Sequence, residues 1–471
     1  MAMRAAAQAV TPPDARPSSG RAPRAARGAT ECAQLDSVRS SDRLLAELEG
    51  ATPIGERVNG DRELRAGVFL ARLKKACARA GITRLANISF LAANAFPVWQ
   101  ATRPWLHSHA FLGQNTGGQG RGTRDPIAQI AAIMETMEMY CAEPRQAQLV
   151  RGSYEFLRAA HPILPPRWFA TSSGRARPPS NDEPIMWTKA LSIEHGTDVL
   201  VPAELTFYGV NARDYRTKAH FPASTNGLGG GANLVEATLH GLYELVQRHY
   251  MASWQARDAR IVLERLRNVD LRGFPGYRAL VEQFPGIGVG VFALRRAGRA
   301  SKLNNVRCVL VDGREVTTGG GCHHDPVVAI TSALGEAMQS KAIQYSAARE
   351  DIAFRTPAPV KLGDARVRGA LSHIPETLGL AAYGRAIERK RFATLQEELQ
   401  FLVSEVHRLG FPNVIVKDMT RVGLEIPVVR VLVPGMRMQA HLRPRPYASR
   451  DVVNCQYCLD LVDRALPAKG G

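Results

Sequence analysis

Three pairs of polar residues in this chain share one spacing and one setting. In each case a glycine-rich stretch precedes a helix-like pattern that carries Glu-x-x-Glu or Glu-x-x-Gln. The glycine-rich stretches are residues 117–122, 227–231 and 319–321, and the pairs that follow them are Glu135 with Glu138, Glu244 with Gln247, and Glu336 with Gln339. Residues three apart lie on one face of a helix, so we expect both members of each pair to point the same way.

The surroundings of these pairs limit what their carboxylates do. Ile130, Ile133 and Met134 flank the first pair, and a carboxylate in such a setting must be solvated, paired or bound to a cation, because burying a bare charge is costly. Carboxylates that converge from separate helices suit Mg²⁺, which also takes phosphate oxygens as ligands. Glycine-rich turns before helices suit phosphate, because the backbone N–H groups and the helix dipole favour anions there.

Each motif also has a simpler interpretation. One glycine-rich segment before a helix is commonly only a turn, and one Glu-x-x-Glu is commonly a solvated helix face. The chain contains no G-x-x-x-x-G-K-[ST] motif, so a nucleotide site would have to be built without a Walker A loop. Three copies at similar spacing favour a metal–phosphate site, but the pattern alone leaves both interpretations open.

The elements that must position these residues have the pattern of an α/β fold. Helical periodicity predicts helices over residues 61–80, 127–140, 233–250, 326–347 and 395–408. Apolar, β-branched runs predict strands at residues 199–201, 288–293, 308–311, 414–416 and 428–433. Segments 172–184 and 356–362 are crowded with Pro, Ser, Gly and Arg, which predicts loops. We predict one domain over residues 59–465, a disordered Ala/Arg/Pro/Ser-rich tail and linker over 1–58, and a flexible tail over 466–471.

Composition narrows the classes of function. Hydrophobic residues make up 45% of the 471 residues, enough for a large core, and no apolar run is long enough to span a membrane. The N-terminus lacks a continuous apolar segment, so the expected compartment is the cytoplasm. The net charge of +18 is spread along the chain without a nucleic-acid-reading motif, so we do not expect nucleic-acid binding; an acidic peptide leader or a nucleotide fits the charge equally well.

The seven cysteines are scattered, and we expect reduced thiols. Cys455 and Cys458 form a lone C-x-x-C, and a structural zinc would need further ligands. The nearest candidates are Cys322, His323 and His324. Two ordinary thiols are the favoured interpretation and zinc is the alternative. The two histidines follow a glycine-rich stretch. We expect them either to contact phosphate, or to cap a helix or hydrogen-bond to residues that contact phosphate.

Five ordered blocks between residues 60 and 465 resemble the YcaO family. They are residues 81–84 with 97–99 and 103–104; Gly120–Gly122 with Glu135, Glu138 and Glu143; residues 224–227 with Glu236, Glu244 and Arg248; residues 321–323 with Glu336, Gln339, Ser340 and residues 349–351; and residues 427–435. Five blocks in order are far more specific than any one of them. The sequence is therefore similar to this family over most of its length.

This resemblance implies a YcaO-type fold, in which mixed β-sheets and helices form an ATP and Mg²⁺ site. It implies an enzyme that phosphorylates a backbone amide oxygen of a ribosomally made peptide, so that phosphate leaves and an azoline or a thioamide results. The implied magnesium ligands are Glu135, Glu138, Glu244 and Gln247, and the implied catalytic residues are the three glutamates with Arg248. The implied nucleotide contacts are Arg121, Asn226, Glu236, Gln247, Glu336, Gln339 and Arg349.

Two positions depart from the family pattern. Gln247 stands where the family usually has glutamate, which removes one negative charge from the implied metal site. Arg121 stands where the family commonly has lysine, which keeps the charge and changes its geometry. We expect weaker metal binding rather than loss of activity.

The resemblance also implies partners. A stand-alone member of this kind is expected to act on a ribosomal precursor peptide as a homodimer, with a TfuA-like or E1-like partner protein. Two alternatives remain open on the sequence. One is an accessory role in ribosomal-protein modification, and the other is a non-catalytic relative that binds peptide or nucleotide.

Overall fold

The structure, a computed structural model, describes residues 41–57, 60–92, 96–104, 116–144, 148–169, 178–207, 220–221, 224–255, 258, 260–267, 288–296, 301–312, 315–346, 376–379 and 390–437. The α-helices in these ranges are α1 (Asp42–Glu49), α2 (Ala66–Cys77), α3 (Asp125–Cys141), α4 (Tyr154–Leu157), α5 (Ala203–Thr206), α6 (Leu234–Gln255), α7 (Pro326–Ser346) and α8 (Leu395–Arg408). Short 3₁₀ helices cover Ser89–Ala92 and Pro166–Phe169.

The strands of the described residues form four sheets. They are β1 (Glu56–Arg57), β2 (Asp61–Arg62), β3 (Arg84–Asn87), β4 (Val98–Arg103), β5 (Thr116–Arg121), β6 (Val150–Gly152), β7 (Ile185–Ser192), β8 (Thr197–Pro202), β9 (Leu228–Gly230), β10 (Ile261–Arg267), β11 (Gly288–Arg296), β12 (Asn304–Asp312), β13 (Glu315–His323), β14 (Glu376–Gly379), β15 (Ile415–Asp418) and β16 (Val428–Leu432).

Three of these sheets each end in a glycine-rich strand. The sheet orders are β3-β4-β5, β6-β7-β15-β16-β9 with β8 beside β7, and β13-β12-β11-β10-β14, while β1 and β2 form a separate pair. The pairings are antiparallel except that of β10 with β14, so the fold is a mixed α/β fold as expected. Strands β5, β9 and β13 are the three glycine-rich edges.

Helix α6 forms the centre of the core. Most of its residues are buried, and Leu242, Leu245 and Val246 are fully so. They pack against α8 and the sheet around β16 in the largest apolar cluster. A helix that is apolar nearly all round is expected to be enclosed by other elements. No helix among the described residues is long and apolar enough to cross a membrane.

The predicted helices and strands are confirmed within a few residues. Residue Gly81 has a positive φ of 72° just beyond α2, a conformation that glycine adopts without strain. Helix α8 begins where the side chain of Thr394 accepts a hydrogen bond from the Glu397 N–H at 3.2 Å. Segment 178–184 has no helix or strand, as predicted. Segments 170–177 and 356–362 lie outside the described residues.

Two predictions were wrong. The glycine-rich stretches are mainly edge strands and not phosphate loops, because their glycines bring each strand against the backbone of the following helix. A Cβ on Gly120 would lie 2.1 Å from the Ala128 carbonyl oxygen, and one on Gly319 would lie 2.0 Å from that of Ala333. Residues 41–57, expected in a disordered tail, include α1 and β1, and Leu44 is fully buried in the core around α6.

Candidate active site

Each glycine-rich strand is joined to its helix by a similar hydrogen bond. The backbone N–H of Gln119 in β5 donates to Glu135 Oε2 of α3 at 2.6 Å. The N–H of Gly227, just before β9, donates to Glu244 Oε2 of α6 at 2.8 Å, and the N–H of Gly320 in β13 donates to Glu336 Oε2 of α7 at 2.5 Å. The first acid of each pair therefore satisfies an edge-strand amide, which fixes its carboxylate in place.

The second member of each pair reaches the glycine-rich strand of another unit. Glu138 Oε1 lies beside Gly230 of β9, where a Cβ added to the glycine would be 3.2 Å away from it. Gln247 Nε2 lies beside Gly320 of β13, where an added Cβ would be 2.6 Å away. Gln339 Nε2 donates to the carbonyl oxygen of Gln119 in β5 at 2.7 Å. The three strand–helix units are thus joined in a ring, first to second, second to third and third to first.

Three carboxylates converge on one side of this ring. Burial and the nearby charges of Glu244 and Glu135 raise the pKa of Glu138 well above its usual value. Glu138 is 8% exposed, and its Oε1 has no hydrogen-bond partner among the described residues. His240 Nδ1 lies 3.7 Å from Glu138 Oε1, and Arg248 Nη2 lies 3.5 Å from Glu244 Oε1.

Three arginines lie close enough to Glu336, the first acid of the third pair, to act on its charge. Burial raises the pKa of Glu336, but the charges of Arg121, Arg248 and Arg307 and the Gly320 N–H outweigh it, so the net pKa of Glu336 is lowered. Arg121 is held against α7 by its Nη1, which donates to Gln339 Oε1 at 2.8 Å, and by its Nε, which donates to the Ser332 carbonyl oxygen at 3.2 Å. Glu336 is therefore an ionised group that organises arginines.

Asn226 lies where the chain enters the second unit. It is 5% exposed, and its Nδ2 has no hydrogen-bond partner among the described residues. Its carbonyl oxygen accepts a hydrogen bond from Nη1 of the buried Arg430 at 2.7 Å. The next residue, Gly227, has a φ of 81°, and a Cβ there would lie 2.3 Å from the Val431 carbonyl oxygen. The amide of Asn226 is thus held as an unused buried donor.

Glu236 lies about two turns before Glu244 on α6. Its oxygens accept hydrogen bonds from Arg62 Nη1 at 3.1 Å and from the Glu63 N–H at 3.3 Å. Burial raises its pKa, and the charge of Arg62 partly offsets that rise. The segment around β2 therefore contributes a cation that the sequence did not indicate.

His323 and His324 are part of a buried network and do not face the ring. Tyr243 Oη lies 2.9 Å from Glu398 Oε1 and 2.8 Å from His324 Nδ1, and His323 Nε2 lies 3.5 Å from Glu398 Oε1. His323 Nδ1 accepts the Asp325 N–H at 3.0 Å. If His323 bound a metal through Nε2, its ring proton would be on Nδ1 and would point at the Asp325 N–H. The geometry therefore favours a hydrogen-bond network over a metal site.

Some predicted residues lie outside the described ranges. These are Arg349 and the pair Cys455 and Cys458, so their predicted roles stay predictions. Among the residues that the structure describes, Cys77, Cys141, Cys308 and Cys322 are not in disulfide bonds.

Sequence reasoning missed Arg307 and Arg62 as parts of this region. Arg307 acts on Glu336 from β12, and Arg62 pairs with Glu236 from β2. Neither lies within a recognisable motif. The one available signal for Arg307 is alternation along β12, since this charged residue stands between the buried Val306 and Cys308.

The arrangement fits a divalent cation bound with phosphate. Glu135, Glu138 and Glu244 bring oxygen ligands together, and the unsatisfied Oε1 of the buried Glu138 marks a missing partner. Like charges this close are costly unless a proton or a cation offsets them. The arginines that act on Glu336, which are Arg121, Arg248 and Arg307, suit phosphate oxygens. Such a pairing of oxygen ligands and phosphate suits Mg²⁺.

Comparison with known proteins agrees with this geometry. Residues 119–437 match the sequence model of a family described as YcaO cyclodehydratase, ATP- and Mg²⁺-binding. An uncharacterized protein in the tfuA 3′ region of Rhizobium leguminosarum bv. trifolii is 29% identical over 379 residues, which is 76% of this chain and 84% of that protein. An uncharacterized protein of Methanothermobacter thermautotrophicus is 28% identical over 374 residues, 76% of this chain and 90% of that protein.

Two solved structures have the same fold. The YcaO from Methanopyrus kandleri bound with AMPPCP and Mg²⁺ has a TM-score of 0.63 at 23% identity, covering 84% of this chain and 100% of that one. A heterocyclase in complex with substrate and cofactor has a TM-score of 0.66 at 19% identity, covering 87% of this chain and 56% of that one. The family model spans well over half of the sequence, from the glycine-rich strand β5 to the residues after β16. The chain therefore belongs to the YcaO family, and its cofactors are ATP and Mg²⁺.

Proposed function

We propose that this protein is an enzyme that phosphorylates a backbone amide oxygen of a ribosomally made peptide, with ATP as phosphoryl donor. The observation that carries this proposal is the convergence of three carboxylates at Glu138, together with the arginines that act on Glu336. Phosphoryl transfer needs mainly positioning and neutralisation of charge, and this arrangement supplies both.

The residues divide these tasks. Glu135, Glu138 and Glu244 would hold Mg²⁺, which when bound offsets the charge of the phosphate oxygens. Arg121 and Arg248 would orient the phosphate chain, and Gln339 positions Arg121. Asn226 would offer its buried Nδ2 to the nucleotide. Gln247 lies against β13, beside Gly320. Glu236, Glu336 and Arg349 keep the nucleotide-binding roles that the family pattern implies.

The chemistry that follows is dehydration or thiolation of the peptide. A substrate Cys, Ser or Thr side chain, or sulfide, adds to the carbonyl carbon. The γ-phosphoryl group passes from ATP to the carbonyl oxygen, and the C–O bond breaks as phosphate leaves with that oxygen. Intramolecular addition gives an azoline, and addition of sulfide gives a thioamide. The protein's contribution is to neutralise the negative charge on the carbonyl oxygen that accepts the phosphoryl group.

The relative encoded beside tfuA supports a TfuA-like partner for this chain. We also propose that the protein acts as a homodimer on a precursor peptide. The test is co-expression of the protein with a short Cys-, Ser- or Thr-rich peptide encoded near it, together with any TfuA-like neighbour, followed by mass spectrometry. Loss of one water identifies an azoline, and replacement of oxygen by sulfur identifies a thioamide. An unaltered peptide mass with every neighbouring protein present would contradict the proposal.

A further inference from the structure

A cavity of about 400 Å³ lies on the face of α6 turned away from the carboxylates. His249 and Ser253 of α6 line it, and Ser253 follows Glu244 by about two and a half helical turns, which places the two on opposite faces. The other walls come from the start of β10, the end of β11, the segment after α8 and the chain after β16. This cavity is therefore separate from the candidate active site.

The charged groups that line the cavity are mostly cationic. Arg260, Arg296 and Arg437 line it together with one acid, Asp258. Asp258 is already engaged by Arg260, whose Nε and Nη2 donate to its two oxygens at 2.8 and 2.6 Å. Arg296 donates to the Leu409 carbonyl oxygen at 2.5 Å, and this partner carries no charge. Arg296 and Arg437 have no ion-pair partner within the described ranges.

Two neutral donors complete this lining. Ser253 is 1% exposed, and its Oγ has no hydrogen-bond partner among the residues that the structure describes. His249 Nδ1 accepts the Arg437 N–H at 3.0 Å, so a neutral His249 carries its proton on Nε2. Burial and the charges of Arg296 and Arg437 lower the pKa of His249 to about 4, so the ring is neutral at pH 7. Every polar side chain here that is not already paired is a donor or a cation.

The volume of the cavity and its apolar walls favour an organic anion over an inorganic one as the ligand. Ile261, Leu409 and Phe411 line the cavity beside the donors, and the Phe411 ring packs edge-on against His249 at 4.9 Å between centroids. Cavities of this volume suit small organic ligands, whose apolar parts contact such walls while a few polar groups fix orientation. A carboxylate on a short aliphatic stem matches both features.

We propose that this cavity binds an acidic side chain of a peptide, an inference that rests on the peptide substrate proposed above. Arg296 and Arg437 pair with the carboxylate, Ser253 donates to it, and Ile261 and Phe411 contact the stem. The excess of positive charge on the whole chain, +18, draws an acidic peptide toward it. The cavity then anchors the peptide at a point distinct from the amide that reacts.

The test uses the full chain without nucleotide and a fluorescent, end-capped hexaglutamate, with capped hexaglutamine as the neutral probe. Fluorescence anisotropy should show hexaglutamate binding at least about tenfold tighter than hexaglutamine. Arg296→Gln and Arg437→Gln should each weaken hexaglutamate binding about tenfold, and Ser253→Ala should weaken it about threefold. Arg158→Gln is the matched control, because Arg158 is an exposed surface residue that does not line the cavity and its loss lowers the net charge equally.

Equal binding of the two probes would overturn the proposal, as would arginine and serine variants that bind like Arg158→Gln. Displacement of hexaglutamate by inorganic phosphate at the same concentration as by free glutamate would also overturn it, because the site would then be one for any small anion. Arg437→Gln should keep wild-type Mg²⁺-dependent ATP hydrolysis. If ATP hydrolysis is absent from the wild type while hexaglutamate binding keeps its arginine dependence, the proposed function fails and this site stands.

Discussion

Arg121 and Gln339 stand 218 positions apart in the sequence and meet through a hydrogen bond of 2.8 Å between Nη1 and Oε1. The same Gln339 side chain donates through Nε2 to the carbonyl oxygen of Gln119 at 2.7 Å. One amide thus joins α7 to both the backbone of β5 and its terminal arginine. The second position of each Glu-x-x-Glu/Gln pair therefore closes the ring of three units as well as lining the site.

Replacement of Gln339 by Leu should weaken both the fold and nucleotide binding. It leaves the Gln119 carbonyl oxygen and one Arg121 donor without their partner, so the free energy of unfolding should fall by about 2 kcal/mol. The freed Arg121 should raise the KM for ATP more than it lowers kcat. Gln339→Glu keeps the acceptor for Arg121 and should recover most of the KM. A Gln339→Leu protein with lowered stability and wild-type KM would show that Gln339 is only structural.

Replacement of Glu138 by Gln should stabilise the metal-free protein and abolish ATP turnover. It removes a buried charge that Glu135 and Glu244 oppose, so the free energy of unfolding should rise by about 1 kcal/mol, which corresponds to about 1 °C in Tm for a domain of this size. The Mg²⁺-dependent release of phosphate from ATP should disappear. Glu155→Gln, at an exposed surface ion pair, should change neither. A Glu138→Gln protein that is less stable, or that still hydrolyses ATP, would contradict this account.

The raised pKa of Glu138 has a definite consequence for stability against pH. The folded pKa of this carboxyl lies above its unfolded pKa of about 4.3, so the folded protein binds more protons. The contribution of this group to stability is therefore full below the unfolded pKa, and it is lost as pH rises through the folded pKa. Without metal, the Tm of Glu138→Gln should therefore exceed that of the wild type by an amount that increases from about pH 4.5 to neutral pH. Scanning calorimetry over that range measures it. A difference that shrinks with increasing pH would contradict the assignment.

The edge-strand glycines that lie against a helix backbone should tolerate no side chain. A Cβ at Gly120 would lie 2.1 Å from the Ala128 carbonyl oxygen and the Ala132 nitrogen, so Gly120→Ala should cost about 3 kcal/mol. Gly67→Ala is the matched control, because nothing lies within 4 Å of its added Cβ and α2 should gain about 0.5–1 kcal/mol. Urea unfolding of both variants gives the comparison. Similar midpoints would show that β5 moves away from α3 at little cost.

Much of the fold is visible in the sequence, because the helices are periodic. The boundaries of α3, α6, α7 and α8 follow, within a few residues, from apolar spacing. Strands β8, β11, β12, β15 and β16 follow from β-branched runs. The glycine-rich strands were predicted as loops because glycine usually weakens a strand. Here close packing against a helix backbone, a tertiary effect, decides their conformation.

The candidate site was predicted in part. The paired spacing correctly indicated which residues share a helix face, and the resemblance to the YcaO family is confirmed. The order in which the three units join, and the cations Arg62 and Arg307, depend on contacts between distant segments and leave no local pattern. Helix α1 was missed because it is short and lies beside a polar, low-complexity stretch.

The most direct measurement is a crystal structure of the protein with Mn²⁺ and a non-hydrolysable ATP analogue, with Mn²⁺ located by anomalous scattering. The account predicts at least one Mn²⁺ peak about 2.1 Å from carboxylate oxygens of Glu135, Glu138 and Glu244, with phosphate oxygens between that ion and Arg121. A Mn²⁺ peak at His323, His324 and Glu398 instead, or nucleotide phosphates away from these three glutamates, would contradict it.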